Sequence, residues 1–482
     1  MELDTEACYR IIQARDARFD GAFFTAVTTT RIYCRPICPA RTPHRKNVKF
    51  YRYAASAEAD GFRPCKRCRP ETAPGTPAWN GTSTTVSHAL RLIANGFLDD
   101  HRLEELATLL GMGERHLRRL FIEHLGVGPS AIAQSRRVHF AARLVRETDL
   151  PVSRVALSAG FGSIRQFNDA FRRAFDGPPS SMRGHRSNGT PRTFTLTLAY
   201  RPPMQWEHML DFFRKRAVRG VEEVTDRSYR RSISLRGSTG VLDVAPSKSA
   251  NSVDVTIEGI DATALGEVVR RVRRMFDLDA DPDSIARHLS CDPLLAPIVA
   301  AAPGMRIPST WDPFEAVVRA VLGQQISVAG AITIAGRLAD SHGRRIAAQG
   351  TISRVFPEPS DLANADLSSL GVPASRAKTL VSVARAALGG DVKLDGSQTL
   401  EQVSSALEAV PGIGPWTVQY VALRGLGEPD VFPETDLVIR KALDSLGYPR
   451  GKDERKEAIS RLSPWRGYAT LYFWSAMFRG GA

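Results

Sequence analysis

Leu407-Glu-Ala-Val-Pro-Gly-Ile-Gly-Pro-Trp-Thr-Val-Gln-Tyr-Val-Ala422 holds two apolar-periodic segments joined by a short proline- and glycine-rich break at 411–415. The pattern predicts helix, tight glycine turn, helix. Such a turn, at Gly412 and Gly414, presents backbone N–H groups where a DNA phosphate can sit. A plain connection between packed helices uses the same residues. Asp436 lies twenty residues after Trp416 and opens another helical stretch, Asp436-Leu-Val-Ile-Arg-Lys441. Asp there suits a helix N-cap, and equally a carboxylate for proton or charge work. Trp416 and Tyr420 stand four apart, which fits either an aromatic core pair or two walls of a pocket.

Outward from this stretch the chain is long, 482 residues, and suits about three domains of ordinary size. With 43% hydrophobic and 24% charged residues it can build several cores. No run of eighteen or more apolar residues is present, so no membrane association is expected. Met1 to Arg10 has three acids and no apolar region typical of a secretory signal, so a cytoplasmic, nucleoid-associated location is expected. In that setting the six cysteines read as ligands or free thiols. The net charge is +14, and residues 1–190 contribute +11 of it. A basic front half implies a polyanion as partner, with nucleic acid first in line.

Two turn-rich breaks, at 70–77 with 80–85 and at 187–191, divide the front of the chain. Beyond them Thr193-Phe-Thr-Leu-Thr-Leu198 and Ser252-Val-Asp-Val-Thr-Ile257 alternate as strands do, and from about 310 the pattern is helical. The expected fold class is therefore multidomain α+β. Its parts are a small four-cysteine unit at 1–77, an all-α unit at 82–187, an α/β unit at 192–302 and an all-α unit at 303–482.

Cys34-x3-Cys38 and Cys65-x2-Cys68 are two short pairs, a spacing that can close one tetrahedral four-thiolate Zn²⁺ site. A purely structural zinc ribbon fits the spacing too. Four thiolates on Zn²⁺ leave a −2 centre whose sulfurs stay deprotonated and latently nucleophilic. Arg31, Arg35, Arg41, Arg45, Lys46, Arg63, Lys66, Arg67 and Arg69 surround it and would draw a phosphate backbone.

The all-α unit contains two helix–turn–helix patterns. In the first, Leu103 to Ala107 and a turn at Gly111–Gly113 precede Glu114 to His124, which bears Arg118 and Arg119. In the second, Val152 to Ser158 and a turn at Ala159–Gly162 precede Ser163 to Phe175, which bears Arg165 and Arg172. These four arginines are of the type that reads bases or holds phosphates, although a merely solvated face would look similar. Phe161, Phe167, Phe171 and Phe175 fall at core spacing.

Each part resembles a known family. Asp20-Gly-Ala-Phe-Phe24, Ile32-Tyr-Cys-Arg-Pro-Ile-Cys38 and Gly61-Phe-Arg-Pro-Cys-Lys-Arg-Cys-Arg-Pro70 resemble the methyl-accepting zinc domain of Ada proteins. That resemblance implies Cys34 as acceptor of a methyl group from a DNA methylphosphotriester, with Cys38, Cys65 and Cys68 as companion zinc ligands. Ala159-Gly-Phe161 and Gly177-Pro-Pro179 resemble AraC-type DNA-binding domains, with Met182-Arg183 in place of the usual Tyr-Arg. Residues 193–478 resemble AlkA-type 3-methyladenine DNA glycosylases of the helix-hairpin-helix superfamily, on Arg319-Ala-Val-Leu-Gly-Gln324, Ile413-Gly-Pro-Trp-Thr417 and Pro464-Trp-Arg-Gly-Tyr-Ala469 among others. This implies Asp436 as the catalytic carboxylate and Trp416, Tyr420 and Trp474 as the base pocket.

The resemblances together imply a DNA-alkylation-repair protein acting on double-stranded alkylated DNA, fused to a promoter-binding regulator. RNA polymerase is a further candidate partner, and a monomer is expected. The alternative is a methylation-activated regulator in which the glycosylase part serves as a DNA clamp. Trp416 occupies the place of the lysine used by strand-nicking relatives, so a monofunctional enzyme is expected. The Pro-Cys-His-Arg nucleophile of a second methyltransferase domain is absent, so no O6-alkylguanine transfer is expected. No C-terminal four-cysteine cluster exists for an iron–sulfur centre. Gln325 stands where the AlkA family wedges a leucine into DNA.

Overall fold

The computed structural model describes residues 3–74, 84–183 and 193–479. Most of the two expected linkers, and the boundaries at 77, 82, 187 and 192, lie outside the described residues. The chain divides into two compact units. The first comprises residues 1–202, 247–270 and 278–280, the second 203–246, 271–277 and 281–482.

The first unit opens with a four-stranded sheet in the order Val48–Tyr51, Phe24–Val27, Ile32–Cys34, Arg63–Pro64. The first three strands pair antiparallel, and Ile32–Cys34 pairs parallel with Arg63–Pro64 through Ile32↔Arg63 and Tyr33↔Pro64. Phe24, Ala26, Tyr33, Ala57 and Phe62 fill its small core. So few apolar side chains make a thin core, and a metal cross-link is the usual remedy at this size.

The helical part of the unit follows. Leu103–Leu109 and Glu114–Leu125 form the first helix pair, Val152–Ser158 and Ile164–Phe175 the second, and the nineteen-residue helix Pro129–Glu147 lies between them in sequence. Ser163 caps Ile164–Phe175 by accepting the Gln166 N–H. Phe161, Phe167, Phe171 and Phe175 are buried and form an edge-to-face and tilted chain of rings, as their spacing predicts. Gly160 is required where it is: its φ is +81° and a Cβ would strike the Asp99 carboxylate. That carboxylate is itself pinned by Arg136 and Arg137 from the long helix. Thr193–Ala199 completes the unit by pairing antiparallel with Ser252–Glu258 over their full length.

In the second unit the strands Glu222–Val224, Tyr229–Leu235 and Ser238–Pro246 form an antiparallel meander. Helices then dominate. Val317, Val318, Val321 and Leu322 of Pro313–Leu322 pack with Leu338, Leu380, Val383, Leu407, Val418 and Val421 in one core. A short hairpin, Arg345–Gln349 with Ile352–Arg354, interrupts the expected all-α stretch.

Meander and helix are joined by a buried ionic lattice. Arg231 Nη2 bonds Glu315 Oε2 at 2.8 Å, Arg319 Nη2 bonds Glu222 Oε2 at 2.6 Å, and Tyr229 Oη donates to Glu222 Oε1 at 2.5 Å. Burial pushes the Glu222 carboxyl up, but the charges of Arg319 and Arg231 outweigh it and hold it low.

Candidate functional sites: a thiolate cluster and an aromatic-walled carboxylate

Parallel pairing of Ile32–Cys34 with Arg63–Pro64 brings Cys34 beside Cys65, and the turns that follow each strand return Cys38 and Cys68. All four sulfurs lie within 4.8 Å of one another. A tetrahedron of thiolates on Zn²⁺ has S···S edges of about 3.8 Å, given Zn–S of about 2.3 Å, so the cluster fits one such ion. Bonds among the sulfurs and burial push the Cys34 thiol up and hold Cys68 up, while bonds to neighbouring sulfurs push Cys38 and Cys65 down. Cys38, Cys65 and Cys68 each accept a backbone N–H, from Ala40, Cys68 and Arg35. The Cys34 sulfur lies among its three sulfur neighbours, and the residue is partly exposed.

The surrounding cations divide into two groups, and one departs from the sequence expectation. Arg35 is buried, pairs both oxygens of Asp20 and donates to the Cys68 carbonyl at 3.2 Å, so it braces the metal loop and does not face a phosphate. Arg31 stacks on Phe62 with its carbon 4.4 Å from the ring centroid, and Arg45 pairs with Glu6. Arg41, Lys46, Lys66, Arg67 and Arg69 remain exposed around the cluster.

Sequence reasoning missed what lies behind the cluster. Tyr33, next to Cys34, donates its hydroxyl to Glu58 Oε1 at 2.7 Å, and His139 of the long helix meets the same oxygen at 2.7 Å. Burial alone would raise the Glu58 carboxyl, but the His139 charge and the converging bonds hold it low. Arg63 pairs with Asp176 at the end of Ile164–Phe175. Of the expected DNA-reading arginines, Arg118 is paired with Glu114 one turn back and Arg119 meets His116 Nδ1 at 2.8 Å. Arg165 and Arg172 are exposed on Ile164–Phe175.

In the second unit the predicted hairpin is present: Leu400–Glu408, the turn at 411–414, then Pro415–Val421. Gly412 has φ +92° and a Cβ there would collide with Thr379 Oγ1. A Cβ on Gly414 would meet no protein atom within 4 Å, so the turn lies open on that side. Gln324 clamps this turn, its Nε2 donating to the Gly412 carbonyl at 3.0 Å and to Thr417 Oγ1 at 3.1 Å. Arg376 holds the Gln324 carbonyl at 2.6 Å. Next along, Gln325 sits in the left-handed region at φ +57°, rare for a residue with a Cβ. Ile326 beside it is an exposed apolar side chain, at 39%.

Asp436 is the helix N-cap that its position predicts. Its Oδ1 caps Leu437–Leu446 by accepting the Val438 and Ile439 N–H groups at 3.0 Å. The same carboxylate accepts Trp474 Nε1 on Oδ1 at 3.2 Å and Trp416 Nε1 on Oδ2 at 2.9 Å. Trp416 and Tyr420 stack with centroids 5.2 Å apart and 23° between planes, both partly exposed, and Tyr420 also packs against the helical core. Bidentate pairing of Arg466 with Asp430 ties the loop leading to Asp436 to the helix that carries Trp474.

Family comparisons cover most of the chain. Residues 7–71 match the metal-binding domain of Ada, 106–185 a helix-turn-helix domain, 195–312 the AlkA N-terminal domain and 318–466 the HhH-GPD superfamily of base excision DNA repair proteins. The probable bifunctional transcriptional activator/DNA repair enzyme AlkA of Mycobacterium tuberculosis is 41% identical over 99% of this chain and 97% of its own length. DNA-3-methyladenine glycosylase 2 of Escherichia coli is 35% identical over 58% of this chain and 96% of its own. A 3-methyladenine DNA-glycosylase structure from Archaeoglobus fulgidus shares the fold at TM-score 0.52 and 21% identity, covering 59% of this chain and 99% of that one.

Proposed function

Because the chain belongs to the family of bifunctional AlkA transcriptional activator/DNA repair enzymes, we propose that it binds DNA, excises alkylated purines at Asp436 and accepts methyl groups on Cys34. The observation that carries the glycosylase reading is the Asp436 carboxylate held between two indole N–H groups, with half-exposed aromatic faces around it.

Breaking an N-glycosidic bond builds positive charge on the sugar, which a fixed carboxylate stabilises while it orients water. Three donors occupy Asp436 Oδ1 and one occupies Oδ2. A carboxylate oxygen accepts about two bonds comfortably, so Oδ2 is the oxygen with capacity left for water or the sugar. A base flipped from the duplex would stack on Trp416, Tyr420 and Trp474. N3- and N7-alkylated purines are cationic, so each ring face contributes about 0.5–2 kcal/mol of attraction. Gln325 and Ile326 would fill the gap left in the stack, with the open turn at Gly412 and Gly414 against the backbone. In the absence of a Schiff-base lysine at position 416, an abasic site is the product.

For Cys34 the support is its place in the four-sulfur cluster, within the match to the metal-binding domain of Ada and among the exposed cations Arg41, Lys46, Lys66, Arg67 and Arg69. Zn²⁺ held by Cys34, Cys38, Cys65 and Cys68 would keep the sulfur deprotonated; an in-line attack then moves the methyl from phosphotriester oxygen to sulfur and returns a phosphodiester. Loss of one thiolate charge takes the centre from −2 to −1 and weakens its repulsion of DNA. Arg118, Arg119, Arg165 and Arg172 would then engage promoter DNA, with RNA polymerase as downstream partner and the chain acting as a monomer. The four modules follow the bounds 1–77, 82–187, 192–302 and 303–482.

The deciding experiment is release of free 3-methyladenine from methylated duplex by the intact protein, lost in Asp436→Asn, which keeps the helix cap. Equal release by the variant would remove Asp436 from the chemistry, and no release by the intact protein above the protein-free rate would leave the DNA-clamp reading. That reading has one observation in its favour: the thiolate cluster and both helix pairs share one unit, linked through Glu58–His139 and Arg63–Asp176.

A further inference from the structure

Arg424 is a buried charge that the chemistry above leaves unused. It lies in a π-helical turn, Ala422–Leu426, and is 4% exposed. Its guanidinium carbon is 4.4 Å from the Phe212 ring centroid and 5.1 Å from that of Trp474. One Nη donates to the Pro308 carbonyl at 2.9 Å, and Nε has no hydrogen-bond partner. Among the described residues no carboxylate pairs with it; Phe212 instead carries a second guanidinium, that of Arg216, at 4.0 Å. Burial, opposed by Tyr420 and reinforced by the like charge of Arg216, brings Arg424 down to about 9, so it stays charged at neutral pH. A buried cation without a counter-ion is costly, and two aromatic faces with one carbonyl are what offset it here.

We propose that Arg424 is a specificity-determining residue acting through Trp474: by occupying one face of that indole it weakens the pocket's hold on cationic bases and keeps uncharged damaged bases in range. This rests on Trp474 being a wall of the base pocket. Two cations on opposite faces of one ring compete for the same electron density and repel through it. A base stacked on the free face would put its charge roughly 8–9 Å from the guanidinium carbon, and at an effective dielectric of about 20 the repulsion is worth up to about thirtyfold in binding. The effect is confined to the ground state. As the glycosidic bond breaks, its electron pair stays with the base, which becomes neutral while the sugar takes the positive charge. The repulsion is thus relieved in the transition state, which raises KM and kcat together for a cationic lesion.

The test compares binding of the full-length zinc-loaded protein to two duplexes. One carries 2′-fluoro-7-methyldeoxyguanosine, a cationic nucleotide whose glycosidic bond is stabilised. The other carries a tetrahydrofuran abasic analogue, which has no base to stack and corrects for any loss of folded protein. Arg424→Met is expected to tighten the lesion duplex about five- to thirtyfold relative to the abasic one, with Arg424→Lys within about twofold of wild type. On cleavable 7-methylguanine duplex the Met variant should lower KM and kcat together. An unchanged lesion-to-abasic ratio in Arg424→Met, or a Lys variant that behaves like Met, overturns the proposal. Trp474→Ala separates the two levels. If it leaves the wild-type ratio intact, the pocket assignment itself has failed; if it abolishes the ratio while Arg424→Met does not move it, only the role of Arg424 has.

Discussion

The two indoles at Asp436 are not equivalent, and replacing each by phenylalanine should show it. Oδ1 is held by Val438 and Ile439 N–H at 3.0 Å as well as by Trp474, whereas Trp416 is the donor resolved on Oδ2. Trp474→Phe therefore removes the longest of three bonds to an anchored oxygen. Trp416→Phe removes the bond that fixes the plane of the carboxylate about its backbone-held end, while a phenyl ring can still stack on Tyr420. A hydrogen bond to a charged group contributes about 1.5–3 kcal/mol, and a misplacement near 1 Å costs about a hundredfold in rate. The expected loss in single-turnover excision is thus about ten- to a hundredfold for Trp416→Phe. For Trp474→Phe, with two of three bonds retained, about threefold is expected. Release of radiolabelled 3-methyladenine from duplex with enzyme in excess reads the step directly, and a urea melt of each variant checks folding. Equal losses, or the larger loss in Trp474→Phe, would refute the assignment of Oδ2 as the working oxygen.

Three further outcomes follow from the geometry. Cys34→Ser should abolish methyl uptake from a methylphosphotriester duplex, while Asp436-dependent excision continues; methyl uptake by the variant, read by mass spectrometry, would refute the acceptor. Chelating zinc should expose Cys34, Cys38, Cys65 and Cys68 to a thiol reagent at pH 8. Exposed Cys291 should react before chelation, and Cys8, buried and pushed up to about 11, should stay slow throughout. Glu222→Gln should cost about 3–5 kcal/mol in urea unfolding, because Arg319 and Arg231 lose a buried partner. Glu222 is held low in the folded state, so its contribution is full above the unfolded glutamate value of about 4.3. It fades as pH falls through the lower folded value, and the variant should lack that acid-side loss.

Legibility in the sequence tracks how local each signal is. The glycine turn at 412–414, the cap at Asp436 and the phenylalanine ladder of Ile164–Phe175 are periodic or adjacent, and the structure has all three. The two cysteine pairs are readable as ligands because both sit at turns; the parallel strand pair that joins them is not, being a long-range contact. Charge is misread where burial decides its use: Arg35 looks like a phosphate contact by composition and is a brace for the metal loop. Gln324 as clamp, and Phe212 with Arg424 behind Trp474, come from segments far apart in sequence that share no spacing. The hairpin at 345–354 escapes because its strands lack clean alternation, although Gly350 at φ +65° marks its turn.

The buried lattice of Glu222, Arg231, Glu315 and Arg319 has a practical bearing on how the gene can be dissected. A fragment begun at residue 303, the proposed boundary, would carry Glu315 and Arg319 but leave Glu222 and Arg231 behind. Those orphaned groups stand on the helix whose end delivers Gln324 and Gln325. An expression clone of the excision half therefore needs to start before Pro203, and limited proteolysis should leave the segment from 203 to 246 attached to it.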